Sequence, residues 1–520
     1  MKLTQIIHSF INPRRLSENA DFLQNKAKFG EKAQFTGVNE HFEPNFNVVL
    51  AERCVFGQPP RWQISRNLLK RPLIIGLIVL SGCTTGSLFK SYPEQIRPLI
   101  DQINQPKTTS SFALPLTGAD KLLRHMEAAR IAQIQQNHSE SLRQFNNAIE
   151  IFKTQEQQAV IRLSEAGRQG NALLINDNAL PYQGDSYEKI LVHTFQAMNY
   201  LFQKDLEGAA VEIRRINSIQ KQALSNHEKE LDKAKQKSKN SLLSQSVNQS
   251  SLSDSFLQID EQTSTLKNSL VNGYAYYLSG LIYELRKEWN DAYIDYKKAL
   301  ELNPGNHYLQ ADVKRLGYKT GLSKSFPTNN YLNKPQLIIL YEQGLVAKKR
   351  EISLPFYTFS GDLLAISFPT YRSLNHAPYK LKLYLNQQSK QSKMVSNINL
   401  LAAKSLQEKR LSMIIRQIGR AVTKHQITKN SEQHAGAIGG FISTVYNIIS
   451  ERADLRSWLT LPSTTQIIRT FIEPEKQTIR LKSQYSNLTK NIQINAETQH
   501  MIIIKVIDTG RQIYLQKVGF

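Results

Sequence analysis

The stretch Gly273-Tyr-Ala-Tyr276-Tyr-Leu-Ser-Gly280-Leu-Ile-Tyr283-Glu-Leu-Arg-Lys-Glu-Trp-Asn-Asp-Ala292-Tyr-Ile-Asp-Tyr296-Lys-Lys-Ala299-Leu-Glu-Leu-Asn303-Pro304 decides the fold. Tyr276, Gly280 and Tyr283 recur at helical spacing, and Ala292, Tyr296 and Ala299 repeat that spacing on a second helix. Small residues at 280 and 299 allow two antiparallel helices to approach closely, while Tyr283 and Tyr296 fill the groove between them. Asn303-Pro304-Gly305 stops the second helix.

These positions resemble the tetratricopeptide repeat, with Pro304 in its closing place. The departure is Ser279, where the repeat carries leucine and Leu278 takes over. Two weaker copies precede it. Ala129, Ala132, Ser141, Phe145 and Ala148 hold the spacing over 122–155, with Asn137-His138 at the turn. Over 190–223 it is held by Ala197, Tyr200, Ala209, Ile213 and Ile216, with Lys204-Asp205 at the turn. With the copy at 273–306 they imply a solenoid-type helical domain over 116–325, because stacked units bury a core that one unit cannot. An ordinary helical bundle uses the same small and aromatic positions, and in both readings they are core. A flexible insertion is expected over 227–266. Its charged part, 228–239, reads as an exposed helix extension, and its Ser/Gln/Asn-rich part, 241–255, reads as a loop.

From about 330 the period changes from 3.6 to 2. Strands are expected at 336–341, 350–355, 363–369 and 380–385. Two helices follow, near 397–428 and 433–451. Further strands are expected at Trp458–Leu461, 465–469, 478–482, 491–495, 501–507 and 512–516. The fold class is therefore α+β: a helical solenoid, then a mostly antiparallel sheet domain over 330–520 with an inserted helical pair.

Upstream of the repeats stands Lys70-Arg71-Pro72, then an apolar run closing on Leu80-Ser81-Gly82-Cys83. The run is too short to span a bilayer, which takes roughly twenty apolar residues, and it suits the h-region of a signal peptide. Leu80-Ser81-Gly82-Cys83 resembles the lipobox of bacterial lipoproteins. The resemblance implies a diacylglycerol on the Cys83 sulfur, cleavage of a signal over 70–82, and a lipidated tether over 83–115. Thr84, where an inner-membrane protein of that class carries aspartate, resembles an outer-membrane address. The competing reading is a buried strand ending in a core cysteine. Residues 1–69 show no sustained periodicity and no methionine after Met1, so translation is expected to begin near Leu68 or Leu69. Cys54 is the other cysteine, and a lipid on Cys83 leaves the processed chain without a free thiol.

The 520 residues carry a formal charge of +23 and a 40% hydrophobic share, which excludes a disordered chain and implies anionic surroundings. Three blocks add a further resemblance: Tyr187-Glu188…Leu191-Val-His193…Ala197-Met-Asn199-Tyr200, Pro335-Gln-Leu-Ile-Ile…Glu342-Gln-Gly344, and Ala453-Asp454-Leu-Arg456-Ser457-Trp458-Leu459-Thr460-Leu461-Pro462. Together they resemble an uncharacterised family of Gram-negative tetratricopeptide-repeat lipoproteins, which implies an address and an architecture but no chemistry.

No zinc-type His-Glu-x-x-His, paired Cys-x-x-Cys, Walker loop or dinucleotide fingerprint occurs, so no metal, cofactor or enzymatic activity is expected. Gly184-Asp185-Ser186 resembles the nucleophile block of some esterases but reads better as a loop with Ser186 capping a helix. Glu188 and His193 could form a polar contact with each other. Arg456 and Trp458 read as core or, less simply, as exposed recognition residues. Gly436 and Gly440 suit close helix packing. The expectation is a lipid-anchored protein at the periplasmic face of the outer membrane, binding envelope proteins through the concave repeat surface. The alternatives are a basic cytoplasmic nucleic-acid binder and a cell-wall hydrolase.

Overall fold

The computed structural model describes residues 90–105, 114–164, 177–238, 257, 259–323, 334–357, 363–372, 374, 377–386, 388–410, 412–414, 416–417, 420–421 and 452–520. All of them belong to one compact unit. The expected leader, the expected signal with Leu80, Ser81, Gly82 and Cys83, the loop expected at 241–255 and the helix expected at 433–451 lie outside the described residues.

The chain begins with α1 (Tyr92–Asn104), then α2 (Lys121–Ile134), α3 (His138–Ser164), α4 (Ser186–Phe202), α5 (Leu206–Ser238), α6 (Gly273–Leu285), α7 (Trp289–Leu302) and α8 (His307–Lys319). α1 corrects the expectation of a polar tether over 83–115. Ser91 and Glu94 form a capping box, Pro93 sits in the first turn where its missing N–H costs nothing, and Tyr92, Ile96, Leu99 and Ile103 form a buried stripe. Pro93 thus starts a packed helix, which continues through Pro98.

α2 packs on α3, α4 on α5 and α6 on α7. Each pair turns on a left-handed residue that is not glycine: Gln136 (φ 63°), Lys204 (φ 62°) and Lys287 (φ 64°). The next amide donates back across the turn in all three cases: Asn137 to Ala132 at 2.8 Å, Asp205 to Tyr200 and Glu288 to Tyr283, both at 2.9 Å. This six-to-one bond is the Schellman helix stop. Between α6 and α7 the tight approach rests on Gly280, where a Cβ would stand 2.8 Å from the Tyr296 ring. Ala292, Tyr296 and Ala299 are fully buried, Tyr276 and Tyr283 almost so, and Asn303 caps α7 before Pro304.

The strands are β1 (Gln336–Gln343), β2 (Arg350–Tyr357), β3 (Leu363–Thr370), β4 (Leu381–Leu385), β5 (Gln388–Gln391), β6 (Lys393–Asn397), β7 (Thr464–Phe471), β8 (Lys476–Ser483), β9 (Thr489–Asn495), β10 (Met501–Asp508) and β11 (Ile513–Gly519). They form a five-stranded sheet ordered β11-β10-β1-β7-β6, a four-stranded sheet ordered β5-β4-β8-β9 and the β2-β3 hairpin. Every pairing is antiparallel except β1 with β10. The architecture is thus mixed α+β with several antiparallel sheets.

β1 and β10 are buried along nearly their whole length because both faces of the five-stranded sheet are covered. Glu342 of β1 faces the helices and bonds Arg130 of α2, while its neighbour Tyr341 faces the four-stranded sheet and meets Ser483 at 3.2 Å. β5 and β6 had no apolar alternation to announce them. The strand expected at Trp458–Leu461 is instead an irregular segment. Of the helix expected at 397–428, residues 398–410 are continuously helical.

Candidate functional site

Many of the buried charged side chains converge on the seam between the helices and the chain beyond residue 335. Three clusters line it, each built from the first helix of a pair, or from α8, and from the chain beyond residue 335.

The first surrounds the irregular segment 454–460. Glu127 on α2 is fully buried and accepts from the Leu459 amide at 2.7 Å, the Thr460 amide at 3.1 Å and the Thr460 hydroxyl at 2.5 Å. Glu188 on α4 accepts from the Trp458 amide at 3.0 Å and the Tyr182 hydroxyl at 2.7 Å. Two helix carboxylates therefore satisfy the amides of a buried stretch that has no sheet partner, which is why it need not be a strand. Trp458 lies edge-on to Phe145 and Phe195, with ring centroids at 6.0 and 5.9 Å. Arg456 is buried as well; it bonds Asp454 and Asp120, and also the Asp177 and Leu180 carbonyls. Both residues are core, and neither is an exposed recognition residue.

The second cluster is centred on Lys505 and Arg130. Lys505 of β10 donates to Gln133 at 2.9 Å and lies 3.4 Å from Glu342. Arg130 bonds Glu342 and stacks over the Phe195 ring at 4.2 Å. Gln133 donates on to Asn199 at 2.7 Å, and Tyr274 of α6 donates to Glu342 at 3.3 Å. Burial pushes the Lys505 ammonium down to about 7 against the opposing pull of Glu342.

The third cluster centres on Arg469 of β7, which grips Glu284 of α6 with 2.8 and 2.9 Å contacts and the Tyr296 hydroxyl at 2.9 Å. Asp312 on α8 lies 3.2 Å away, and Arg315 bonds both carboxylates. Burial opposes ionisation of Glu284, but Arg315 and Arg469 outweigh it and hold its carboxyl at about 2.

Glu127 behaves in the opposite way. Burial pushes it up to about 7, although the Thr460 and Leu459 hydrogen bonds favour its charged form. Between its ordinary 4.5 and about 7 the folded chain keeps a proton that the unfolded chain releases. Stability from this group therefore falls as pH rises through that window, by about 3 kcal/mol in all. Lys505 acts with the reverse sign, adding stability as pH rises from about 7 towards its ordinary 10.5. Glu127→Gln is expected to flatten the slope between pH 5 and 7 in urea unfolding followed by circular dichroism. A variant that keeps the wild-type slope would show that Glu127 is not the group responsible.

The sequence-marked residues are not brought together as a catalytic set. Asp185, not Ser186, caps α4, and Ser186 is exposed. His193 meets Glu212 on α5 at 2.6 Å, whereas Glu188 points to Trp458 and Tyr182. Neither the Glu188–His193 contact nor a Ser186–His193 pair forms. Sequence reasoning does not single out Glu127, Arg130, Glu284, Arg469 or Lys505, and marks Glu342 only within a resemblance block. The available signal was a charge set in an apolar period, as with Lys505 behind Ile502-Ile503-Ile504.

Among the described residues no group of His, Cys, Asp and Glu is placed to hold a metal ion, and no helix is long and apolar enough to cross a membrane. Comparison with protein-family models, with curated proteins and with solved structures returns no match.

Proposed function

We propose that the chain is a lipid-anchored protein of the cell envelope, held at the periplasmic face of the outer membrane through Cys83 and acting as a scaffold for other envelope components. The observation that carries this reading is Lys70-Arg71, the apolar run and Leu80-Ser81-Gly82-Cys83 in series. One myristoyl-length chain gives only marginal binding, whereas the multiple chains of this lipoprotein class hold firmly.

The helical region is read as tetratricopeptide-like. Its support is the left-handed residue and six-to-one bond at the same place in the three units, together with the Gly280–Tyr296 approach. One part of the initial expectation changes. The concave repeat surface was expected to bind partners; the first helices of the pairs instead pack on the chain's own downstream segments, Glu127 on Leu459 and Arg130, Tyr274 and Glu284 on β1 and β7. Partners are therefore proposed to meet the outward surfaces of α3, α5 and α7 or the open face of the four-stranded sheet.

Fractionation of cells expressing the native gene and a Cys83→Ser variant, with intact-mass readout, tests the anchor. The expected result is a lipidated, outer-membrane wild type and an unprocessed variant. Two soluble, unmodified forms that retain residues 1–82 would overturn the reading.

A further inference from the structure

The four-stranded sheet buries one face, with Leu381, Leu383, Ile479 and Leu481 pointing into the core. β8 alternates strictly, so Thr478, Arg480 and Lys482 stand out on the other face. The pairing register sets the side chains of that open face in rungs across the strands. One rung runs Ser389, Tyr384, Arg480, Asn491. The next runs Gln391, Lys382, Lys482, Thr489. Lys380 continues the line one step on, its amide bonded to the Gln484 side chain at 3.0 Å.

Lys382 directly opposite Lys482 is a repulsive cross-strand pair. Among the described residues no carboxylate lies within ion-pair distance of Lys382, Arg480 or Lys482; the nearest ion pair on β8 is Lys476 with Glu497, at 3.9 Å, at the far end of the strand. Arg480 stacks over the Tyr384 ring at 4.5 Å, which leaves its guanidinium edges open to an anion. An anion laid across these rungs relieves the Lys382–Lys482 repulsion.

We propose that this face docks the anionic glycan of the cell wall, an N-acylated sugar chain whose stem peptides carry carboxylates; the proposal rests on the envelope reading above. Carboxylates pair with Lys382, Arg480 and Lys482. Sugar hydroxyls and amides bond the flanking Asn491, Gln391 and Thr489, and a ring packs on Tyr384. The composition favours this occupant over two others. Single-stranded nucleic acid is held by several stacking aromatics, whereas these rungs present one. Membrane docking by an embedded apolar face needs aliphatic or aromatic side chains to insert, and neither rung contains an aliphatic residue.

The test is co-sedimentation of the purified full chain with peptidoglycan sacculi, beside phosphatidylglycerol vesicles and a single-stranded oligodeoxynucleotide. Wild type is expected to sediment with sacculi, and the Lys382→Glu, Arg480→Glu, Lys482→Glu triple variant to bind at least about tenfold more weakly. A thermal midpoint matching wild type shows that the triple variant is folded. Should it misfold, Tyr384→Ala and Lys482→Gln are each expected to weaken binding severalfold. Wild-type affinity in the folded variants overturns the proposal, as does preference of the wild type for vesicles or oligonucleotide. Sedimentation needs no lipid on Cys83. A chain that binds sacculi yet stays unlipidated in cells therefore removes the anchor and leaves this surface; a lipidated chain that ignores sacculi does the reverse.

Discussion

Arg469→Ala is expected to lower the unfolding free energy by about 3–5 kcal/mol, measured by urea unfolding at neutral pH. The guanidinium is 5% exposed and lies between two carboxylates that are 3% exposed, those of Glu284 and Asp312. Its removal leaves two buried anions beside the single cation Arg315 and strips the Tyr296 hydroxyl and Gln336 of a partner. The loss comes from the abandoned charges, not from the strength of the pair. Arg469→Met combined with Glu284→Gln should therefore recover much of it. The carboxyl at about 2 sets the pH window: with its pKa below the ordinary 4.5, Glu284 contributes stability above that value, lost as pH falls towards 2. A cost below about 1 kcal/mol for Arg469→Ala would mean that water replaces the guanidinium freely and that the seam is wet.

Trp458→Ala is expected to cost a similar amount, about 3–5 kcal/mol. The indole is the largest fully buried side chain among the described residues, packed edge-on to Phe145 and Phe195, with its ring N–H donating to Thr460 at 3.0 Å. It sits on the segment whose amides hold Glu127 and Glu188, so a cavity there loosens two helix contacts at once. Trp458→Phe keeps most of the volume and should cost far less. The same urea titration compares the two. Equal losses for Phe and Ala would place the effect in the hydrogen bond to Thr460, not in packing.

Much of the architecture was legible because it depends on local period. The Gly280–Tyr296 approach follows from spacings visible along the chain, whereas the left-handed conformation of Gln136, Lys204 and Lys287 carries no such mark. β1 and β10 announced themselves as apolar runs. The seam was illegible because its members are far apart in sequence: Arg130 with Glu342, Glu127 with Leu459, Glu284 with Arg469. No window of sequence tells a buried, paired glutamate on α2 from a solvated one. Trp458–Leu461 was misread as a strand for the same reason, since its amides are satisfied by distant carboxylates and not by a neighbouring strand. The tether expected over 83–115 hides α1, because Pro93 in a first turn is a helix starter.

The seam also fixes an order of events during synthesis. The helices leave the ribosome first, carrying Glu127, Arg130 and Glu284 on a face meant for burial. Their partners lie far downstream: Glu342 for Arg130, Thr460 for Glu127 and Arg469 for Glu284. Until then those helices present an apolar surface studded with unpaired charge. Contacts of such long sequence separation close slowly, which leaves a prolonged window for misassembly. A chain cut short before β7 would lack Arg469 and leave Glu284 without that partner. The seam therefore closes only when strands far downstream reach helices far upstream, as Lys505 must reach Gln133.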